Sequence, residues 1–136
     1  MIPGTSIIAQ WFEQYVDAFH TLDPATALSY LHVPCLFLGP RGFRVMVSEA
    51  ENEAFLANVM GDLKARDYSH SEITDFQVAQ TSDAAALLSV RRVRYLRTGE
   101  EMERLGETYT LRRVNDSWKI VVAMVEGAAP SAERQP

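Results

Sequence analysis

GETYTLRRVNDSWKI, residues 106–120, alternates apolar or aromatic side chains with polar ones on both sides of Asn115-Asp116. That alternation is typical of β-strands, and the dipeptide suits a two-residue hairpin turn. The register set by such a turn places Arg113 opposite Trp118, Leu111 opposite Ile120, Tyr109 opposite Val122, and Glu107 opposite Met124. The segment therefore predicts a long hairpin with one apolar face.

Two charged residues fall on this apolar face. Residues 84–97 predict a preceding strand, and a four-residue turn at residues 98–101 would place Arg92 opposite Glu107. The predicted core set of the three strands is Leu88, Val90, Tyr109, Leu111, Trp118, Ile120, Val122 and Met124. A charged pair in that set must be mutually compensated or reach water. It is either a partly solvated ion pair near a sheet edge or a pocket carboxylate held and tuned by an arginine.

The opposite face of these strands is also more apolar than a solvent-facing surface requires. Its members in this register are Leu87, Val93, Tyr95, Val121, Ala123 and Val125. Two explanations remain open: a homodimer covers this face, or the remaining chain covers it.

The first part of the chain predicts two helices. Apolar residues at three-and-four spacing over residues 7–19 predict the first, with Thr5 or Ser6 as its N-cap. Asp23-Pro24 predicts the start of a short second helix. Pro34 disfavours a helical conformation in the residue before it, so this helix should end near residues 31–32.

A hairpin and a third helix are predicted next. Residues 35–38 and 43–47 are strand-like on either side of the turn residues 39–42. Ser48-Glu49-Ala50-Glu51 fits a capping box, and the helix that it begins should run to about Arg66. Residues 68–80 then predict a weaker strand.

The composition fits one globular domain. Of 136 residues, 47% are hydrophobic, which is enough for a core without crosslinks. The net charge of −5 argues against binding to nucleic acid or to an anionic membrane, and no apolar run approaches the ~20 residues of a membrane span. With one cysteine and no signal-peptide pattern, we expect a cytoplasmic protein. We expect a single domain over residues 1–126 and a flexible tail over residues 127–136.

The order of these elements resembles the nuclear transport factor 2-like superfamily, in particular its SnoaL-like branch. The resemblance covers about residues 5–126 and rests on the helices, the short hairpin, and three long antiparallel strands that end in Trp118-Lys119-Ile120. It implies an α+β fold, a cone-shaped domain with three N-terminal helices packed on a strongly bent, mostly antiparallel sheet. It also implies a deep apolar pocket, frequent homodimers, and acid–base chemistry without a metal or cofactor.

Members of this superfamily include ketosteroid isomerase, scytalone dehydratase, limonene epoxide hydrolase, polyketide cyclases and binding domains without catalysis. The ketosteroid isomerase pattern implies that Tyr15 corresponds to its pocket tyrosine and that Glu107 lies near its hydrogen-bonding acid. The position of its catalytic aspartate falls on about Gly39. Because glycine cannot serve as a base, this departure argues against the isomerase reaction.

Three residues are candidates for acid–base chemistry. Tyr15 is either a core tyrosine or a pocket donor to a carbonyl or enolate oxygen. His32 is either a general base at the pocket rim or a helix-ending residue that bonds a backbone carbonyl. Glu107 is the best carboxylate candidate; burial would favour its neutral form and a facing Arg92 its ionised form, so its protonation state stays open.

Cys35 follows His32 by three residues, which invites a thiol–imidazole or metal interpretation. Two residues make neither a catalytic triad nor a zinc site, which needs three or four protein ligands. The apolar neighbours Leu36 and Phe37 favour a small buried core residue instead.

The sequence therefore predicts a SnoaL-like pocket protein that binds a small apolar molecule. The catalytic candidates are Glu107, His32 and Tyr15, and the substrate-binding candidates are Arg92, Tyr109, Trp11 and Trp118. The reaction would be that of a lyase, isomerase or hydrolase that needs no cofactor or metal. The alternative is a non-catalytic ligand-binding or dimerisation domain.

Overall fold

The structure is a computed structural model that describes residues 6–127. Except for Gly127, the tail predicted over residues 127–136 lies outside this range. Within it, three helices pack against a curled but unclosed sheet of six strands, which confirms the predicted α+β fold with a bent, mostly antiparallel sheet. None of the helices in these residues is long and apolar enough to cross a membrane.

Both N-terminal helices begin at the predicted caps. Helix α1 (Ile7–His20) starts after Ser6, whose side-chain oxygen accepts a hydrogen bond from the Ala9 amide at 3.1 Å. Helix α2 (Pro24–Ala27) starts after Asp23, whose carboxylate caps it in the same way. Local sequence therefore decides where these helices start.

The transition from helix to sheet comes earlier than predicted. A 3₁₀ turn (Leu28–Tyr30) follows α2, and strand β1 (Leu31–Gly39) begins at Leu31 rather than near Cys35. The reason is long-range pairing, because Leu31 lies opposite Ile120 of a strand far along the chain.

The predicted hairpin and third helix are confirmed. Strand β2 (Gly42–Met46) pairs antiparallel with the second half of β1. Helix α3 (Glu49–Ala65) begins after Ser48, whose side chain accepts a hydrogen bond from the Glu51 amide at 3.1 Å. The Glu51 carboxylate reaches back to the Val47 amide at 2.8 Å, one residue before the partner expected in a capping box.

Four long strands complete the sheet: β3 (Tyr68–Ser82), β4 (Ala85–Leu96), β5 (Glu101–Val114) and β6 (Ser117–Glu126). The strand order is β2-β1-β6-β5-β4-β3, and among the described strands only β1 and β6 pair in parallel. Strand β3 is an edge strand, which explains why its apolar pattern is the weakest. Strands β4 and β5 are interior strands.

The register between β4 and β5 differs from the prediction. Arg92 pairs with Leu105, and Glu107 pairs with Val90, so the alignment is shifted by two residues. Because side chains alternate with a period of two, Arg92 and Glu107 remain on the same face of the sheet.

A β-bulge at Val121 reverses the side of the sheet on which the later side chains of strand β6 lie. The two predicted pairs nearest the hairpin turn are confirmed, but the register shifts beyond them. The extra residue changes the alternation, so Ala123 and Val125 face inward, whereas Met124 is 38% exposed. The predicted core positions of Val122 and Met124 are therefore wrong, and so are the outward positions of Ala123 and Val125.

The core between α1 and the sheet is centred on Phe12, which is fully buried. Its ring centroid lies 5.4 Å from those of Phe76 and Tyr109 and 6.0 Å from that of Tyr15. This aromatic cluster joins α1 to strands β3 and β5, and it includes the two tyrosines Tyr15 and Tyr109.

Candidate functional site

A cavity of about 140 Å³ lies between helices α1 and α3 and the concave face of the sheet. Most of its lining is apolar and consists of Val16, Phe19, Leu31, Cys35, Phe37, Met46, Phe55, Leu56, Val59, Ile120, Ala123 and Val125. Its polar lining consists of Tyr15, Arg92, Arg94, Glu107 and Tyr109. Helix α1 supplies one of these polar residues, and strands β4 and β5 supply two each.

Arg92 and Glu107 form a buried ion pair in the cavity wall. Arg92 Nε donates to Glu107 Oε1 at 2.9 Å, and Arg92 Nη2 lies 2.7 Å from the same oxygen. The two residues are only 4% and 5% exposed, and both belong to interior strands. The interpretation of this pair as partly solvated near a sheet edge is therefore wrong.

The cavity holds two tyrosines in their neutral form. The Tyr109 hydroxyl donates to Glu107 Oε1 at 3.0 Å, and burial together with the negative charge of Glu107 raises its pKa well above the usual value. The same two causes raise the pKa of Tyr15. Burial alone would lower the pKa of Arg92, but the charge of Glu107 outweighs it and raises that pKa. At physiological pH both tyrosines are thus O–H donors beside a charged arginine.

Two oxygens that border the cavity are free to meet a ligand. All three contacts of Glu107 end on Oε1, and its Oε2 has no protein partner among residues 6–127. The Tyr15 hydroxyl likewise has no hydrogen-bond partner within the described chain, although its ring lies edge-on to Tyr109 with centroids 6.3 Å apart. Both oxygens therefore offer hydrogen-bonding capacity inside an apolar space.

His32 does not reach the cavity, which corrects its predicted place at the pocket rim. Leu31 lines the cavity, and alternation along β1 turns the next side chain away from it. His32 Nδ1 lies 2.8 Å from the Pro34 carbonyl oxygen, and Nε2 lies 3.3 Å from Arg112 Nη1. Of the alternative interpretation, the bond to a backbone carbonyl fits this position, but His32 lies in strand β1 and does not end a helix.

Trp11 and Trp118 also lie outside the cavity, so the prediction that they contact a ligand in this cavity is wrong. Both line a separate surface groove of about 410 Å³. Trp11 stacks on Tyr15 with centroids 6.1 Å apart, but it lies one helical turn earlier on α1. Trp118 lies opposite Arg113 beside the hairpin turn, at the end of β6 away from Val125.

The cavity also contains residues that the sequence interpretation did not single out. Arg94 lies two residues after Arg92 on one strand, and this spacing was a signal that both point to one face. Its Nη1 donates to Glu103 Oε2 at 2.9 Å. Phe37 and Phe55 approach to 4.7 Å between centroids from β1 and α3, and no local pattern connects two such distant residues.

Cys35 is a buried core residue, as the favoured interpretation predicted. It is 3% exposed, and its Sγ donates to the Ile120 carbonyl oxygen at 3.4 Å. Burial raises the pKa of the thiol from 9.0 to about 11, partly opposed by a hydrogen bond from the Leu36 backbone.

Cys35 should make the protein less stable in alkali. The unfolded thiol loses its proton near pH 9, and the folded thiol only near pH 11. The contribution of the neutral thiol to the free energy of unfolding is therefore complete below pH 9 and is lost as the pH rises to 11. By pH 10 the loss is about 1.3 kcal/mol of unfolding free energy. Urea unfolding at pH 8 and pH 10 should show a smaller drop for Cys35→Ala than for the wild type. An equal drop in both proteins would contradict this assignment.

The structure combines three helices, a curled six-stranded sheet, an apolar cavity and a polar cluster on the sheet that consists of Arg92, Arg94, Glu107 and Tyr109. This combination is typical of nuclear transport factor 2 (NTF2)-like proteins. The sequence model of the family described as NTF2-like protein (DUF6841) matches residues 5–128, and the chain belongs to this family. No curated protein sequence matches the chain.

Several solved structures share the fold. An NTF2-like protein with a cystatin-like fold from Novosphingobium aromaticivorans is 16% identical with a TM-score of 0.72, over 93% of this chain and 82% of that chain. A domain with a cystatin-like fold from Nostoc punctiforme is 17% identical with a TM-score of 0.74, over 96% and 83%. A ketosteroid isomerase-like protein from Erwinia carotovora is 21% identical with a TM-score of 0.65, over 91% and 95%. At these identities the likeness shows the fold alone.

Proposed function

We propose that this protein binds a small, mostly apolar molecule that carries a hydrogen-bonding oxygen, and that it acts on this molecule by acid–base chemistry without a cofactor. One observation carries the proposal: Glu107 Oε2 and the Tyr15 hydroxyl border an apolar cavity without protein partners within the described residues. Neither oxygen is among the buried side-chain atoms that lack a partner in the described residues, so both are accessible rather than sealed in the core. A ligand with a matching polar group would satisfy both.

In this scheme the two free oxygens have different roles. Glu107 Oε2 takes a proton from the ligand as the general base, and Tyr15 donates a hydrogen bond to the ligand oxygen on which negative charge develops. The raised pKa of Tyr15 suits a donor, because the hydroxyl stays protonated. Arg92 and Tyr109 are positioning residues that hold Glu107 by its other oxygen. Proton transfer of this kind serves a lyase, isomerase or hydrolase of the SnoaL-like type.

Gly39 supports Glu107 as the base. A Cβ atom added at Gly39 would lie 2.9 Å from the ring of Phe37, so this ring fills the space that a side chain at position 39 would need. The position that resembles the isomerase aspartate therefore has no carboxylate, and a side chain there would require the Phe37 ring to shift. Among the polar residues of the cavity, only Glu107 carries a carboxylate.

Tyr15→Phe tests the predicted donor. Cyclohexanone is a suitable probe, because a cavity of about 140 Å³ is close to the ~150 Å³ of an apolar cavity that holds benzene. Loss of one neutral hydrogen bond should weaken ketone binding about fivefold to tenfold. Binding of methylcyclohexane, which has no oxygen, should not change. NMR titration of both probes measures the difference.

Tyr95→Phe is the matched control. Its hydroxyl donates to Glu72 at 3.2 Å outside the cavity, so ketone affinity should stay at the wild-type value. If Tyr15→Phe binds the ketone as well as the wild type does, Tyr15 is not the donor. If the wild type binds neither probe, the proposal of a small-molecule pocket fails.

A non-catalytic ligand-binding or dimerisation domain is the second candidate. It is favoured by the outward face of the sheet, where Leu87 is 50% and Met124 is 38% exposed beside Val122, Leu36 and Leu38. We expect a dimer by sedimentation velocity at micromolar concentration, and Leu87→Glu should shift it toward the monomer. A monomeric wild type under these conditions would remove the dimer proposal.

A further inference from the structure

A second, wider cavity adjoins the first. This vestibule has a volume of about 460 Å³ and is bordered by the β1–β2 hairpin, strand β5 and the end of β6. Phe37, Phe55, Arg94 and Val125 line both spaces, so the inner cavity and the vestibule share one wall. Ligand pockets commonly measure ~300–1,000 Å³. The inner cavity falls below this range, and the two spaces together fall within it.

The vestibule is positively charged in an acidic protein. Arg41, Arg44 and Arg94 line it, against a single lining carboxylate, Glu103. That carboxylate is already engaged, since it accepts from Arg94 Nη1 at 2.9 Å and from Arg66 Nη2 at 3.1 Å. The chain as a whole has a net charge of −5, so this concentration of cations runs against the overall balance.

Two of these arginines are free to bind a ligand. Arg41 and Arg44 are exposed, and neither has a carboxylate partner among residues 6–127. The Arg44 guanidinium lies 5.6 Å from the ring centroid of Phe55, one of the two aromatic residues that line both spaces. This contact holds a positive charge beside the wall that the two spaces share.

We propose that the natural ligand is an amphipathic carboxylate whose apolar part fills the inner cavity and whose anionic end binds Arg41 and Arg44 in the vestibule. The proposal rests on the proposed function and specifies its substrate class. Guanidinium groups pair with carboxylates in fixed geometry and stay charged at all physiological pH values. The apolar part would carry the hydrogen-bonding oxygen of the proposed function, so that Tyr15 and Glu107 act on it in the inner cavity, at a distance from the anionic end.

The test compares 4-phenylbutyrate with the neutral alcohol 4-phenylbutanol by isothermal titration calorimetry. The acid should bind about tenfold more tightly than the alcohol at low ionic strength, and the advantage should shrink as salt is added. Benzoate, whose carboxylate is attached directly to the ring, should show no such advantage over benzyl alcohol, because its carboxylate is too close to its ring to reach Arg41 and Arg44 when the ring lies in the inner cavity. Arg41→Gln/Arg44→Gln should remove the advantage of 4-phenylbutyrate.

Arg113→Gln is the matched control, since this exposed arginine lies on β5 away from both spaces and should keep the preference for the acid. Arg41 and Arg44 are exposed, so the double variant should fold, and circular dichroism checks this. If the alcohol binds as tightly as the acid, or if the double variant keeps the preference, the anionic specificity is wrong while the pocket stands. If neither compound binds although cyclohexanone does, this inference is wrong and the proposed function stands; if none of the three compounds binds, both fail.

Discussion

Arg92→Met is expected to lower the free energy of unfolding by about 3–5 kcal/mol, because it leaves the Glu107 carboxylate buried without its counter-charge. Two of the three contacts on Glu107 Oε1 come from Arg92, and only the Tyr109 hydroxyl would remain. The loss is a large fraction of the ~5–15 kcal/mol that stabilises a typical domain. Urea unfolding at pH 7 measures it.

The double variant Arg92→Met/Glu107→Leu separates the charge effect from the packing effect. It removes both charges at once and should recover most of the lost stability, and it also keeps the test informative if the single variant does not fold. Arg104→Met is the control: it breaks an ion pair with Glu101 whose side chains are 66% and 41% exposed, and it should cost under about 1 kcal/mol. A loss that small for Arg92→Met would mean that water in the cavity already solvates Glu107.

The sequence predicts the shared face of Arg92 and Glu107 correctly even though the predicted register is wrong by two residues. A shift of two residues preserves the side on which a side chain lies, and a shift of one reverses it. The prediction therefore identifies two residues of the polar cluster without the correct strand alignment. Their burial could not be predicted, because it depends on β3 and β6 flanking the two strands and on the helices above them.

The faces of strand β6 could not be predicted beyond Ile120. The bulge at Val121 adds one residue to the strand, and no glycine or other local signal in this apolar run marks it. The parallel pairing of β1 with β6 shifts its register in the same region, between Leu31 and Leu36. The register in this region depends on the contact between two strands that are distant in sequence, so no local pattern in either strand predicts it.

The shape of the cavity depends on side chains from elements that the sequence does not connect. Tyr15 is predictable as a residue of the apolar stripe of α1, but the stripe does not say which of its members border a void. His32 is misplaced because β1 begins before the apolar run that signals it, and alternation then turns this side chain away. The contact of Phe37 with Phe55 exists only once the hairpin and α3 pack together.

Phe12→Ala is the second change with a large expected effect, a loss of about 3–5 kcal/mol in unfolding free energy. Phe12 is 0% exposed and packs against Phe76, Tyr15 and Tyr109, so the alanine would leave a void between α1 and the sheet. Chemical denaturation compares it with Phe43→Ala, the same change at a residue that is 68% exposed. The control should stay within about 0.5 kcal/mol of the wild type.

Phe12 does not line the cavity, yet it supports the rings of Tyr15 and Tyr109, which do. Phe12→Leu should keep the fold, with a smaller loss of stability, and should weaken cyclohexanone binding because the Tyr15 hydroxyl loses its fixed position. Methylcyclohexane binding should change less, since it needs no oriented donor. Equal weakening of both probes would show that Phe12 acts on the size of the cavity. A cost for Phe12→Ala no greater than that for Phe43→Ala would contradict the packed aromatic cluster itself.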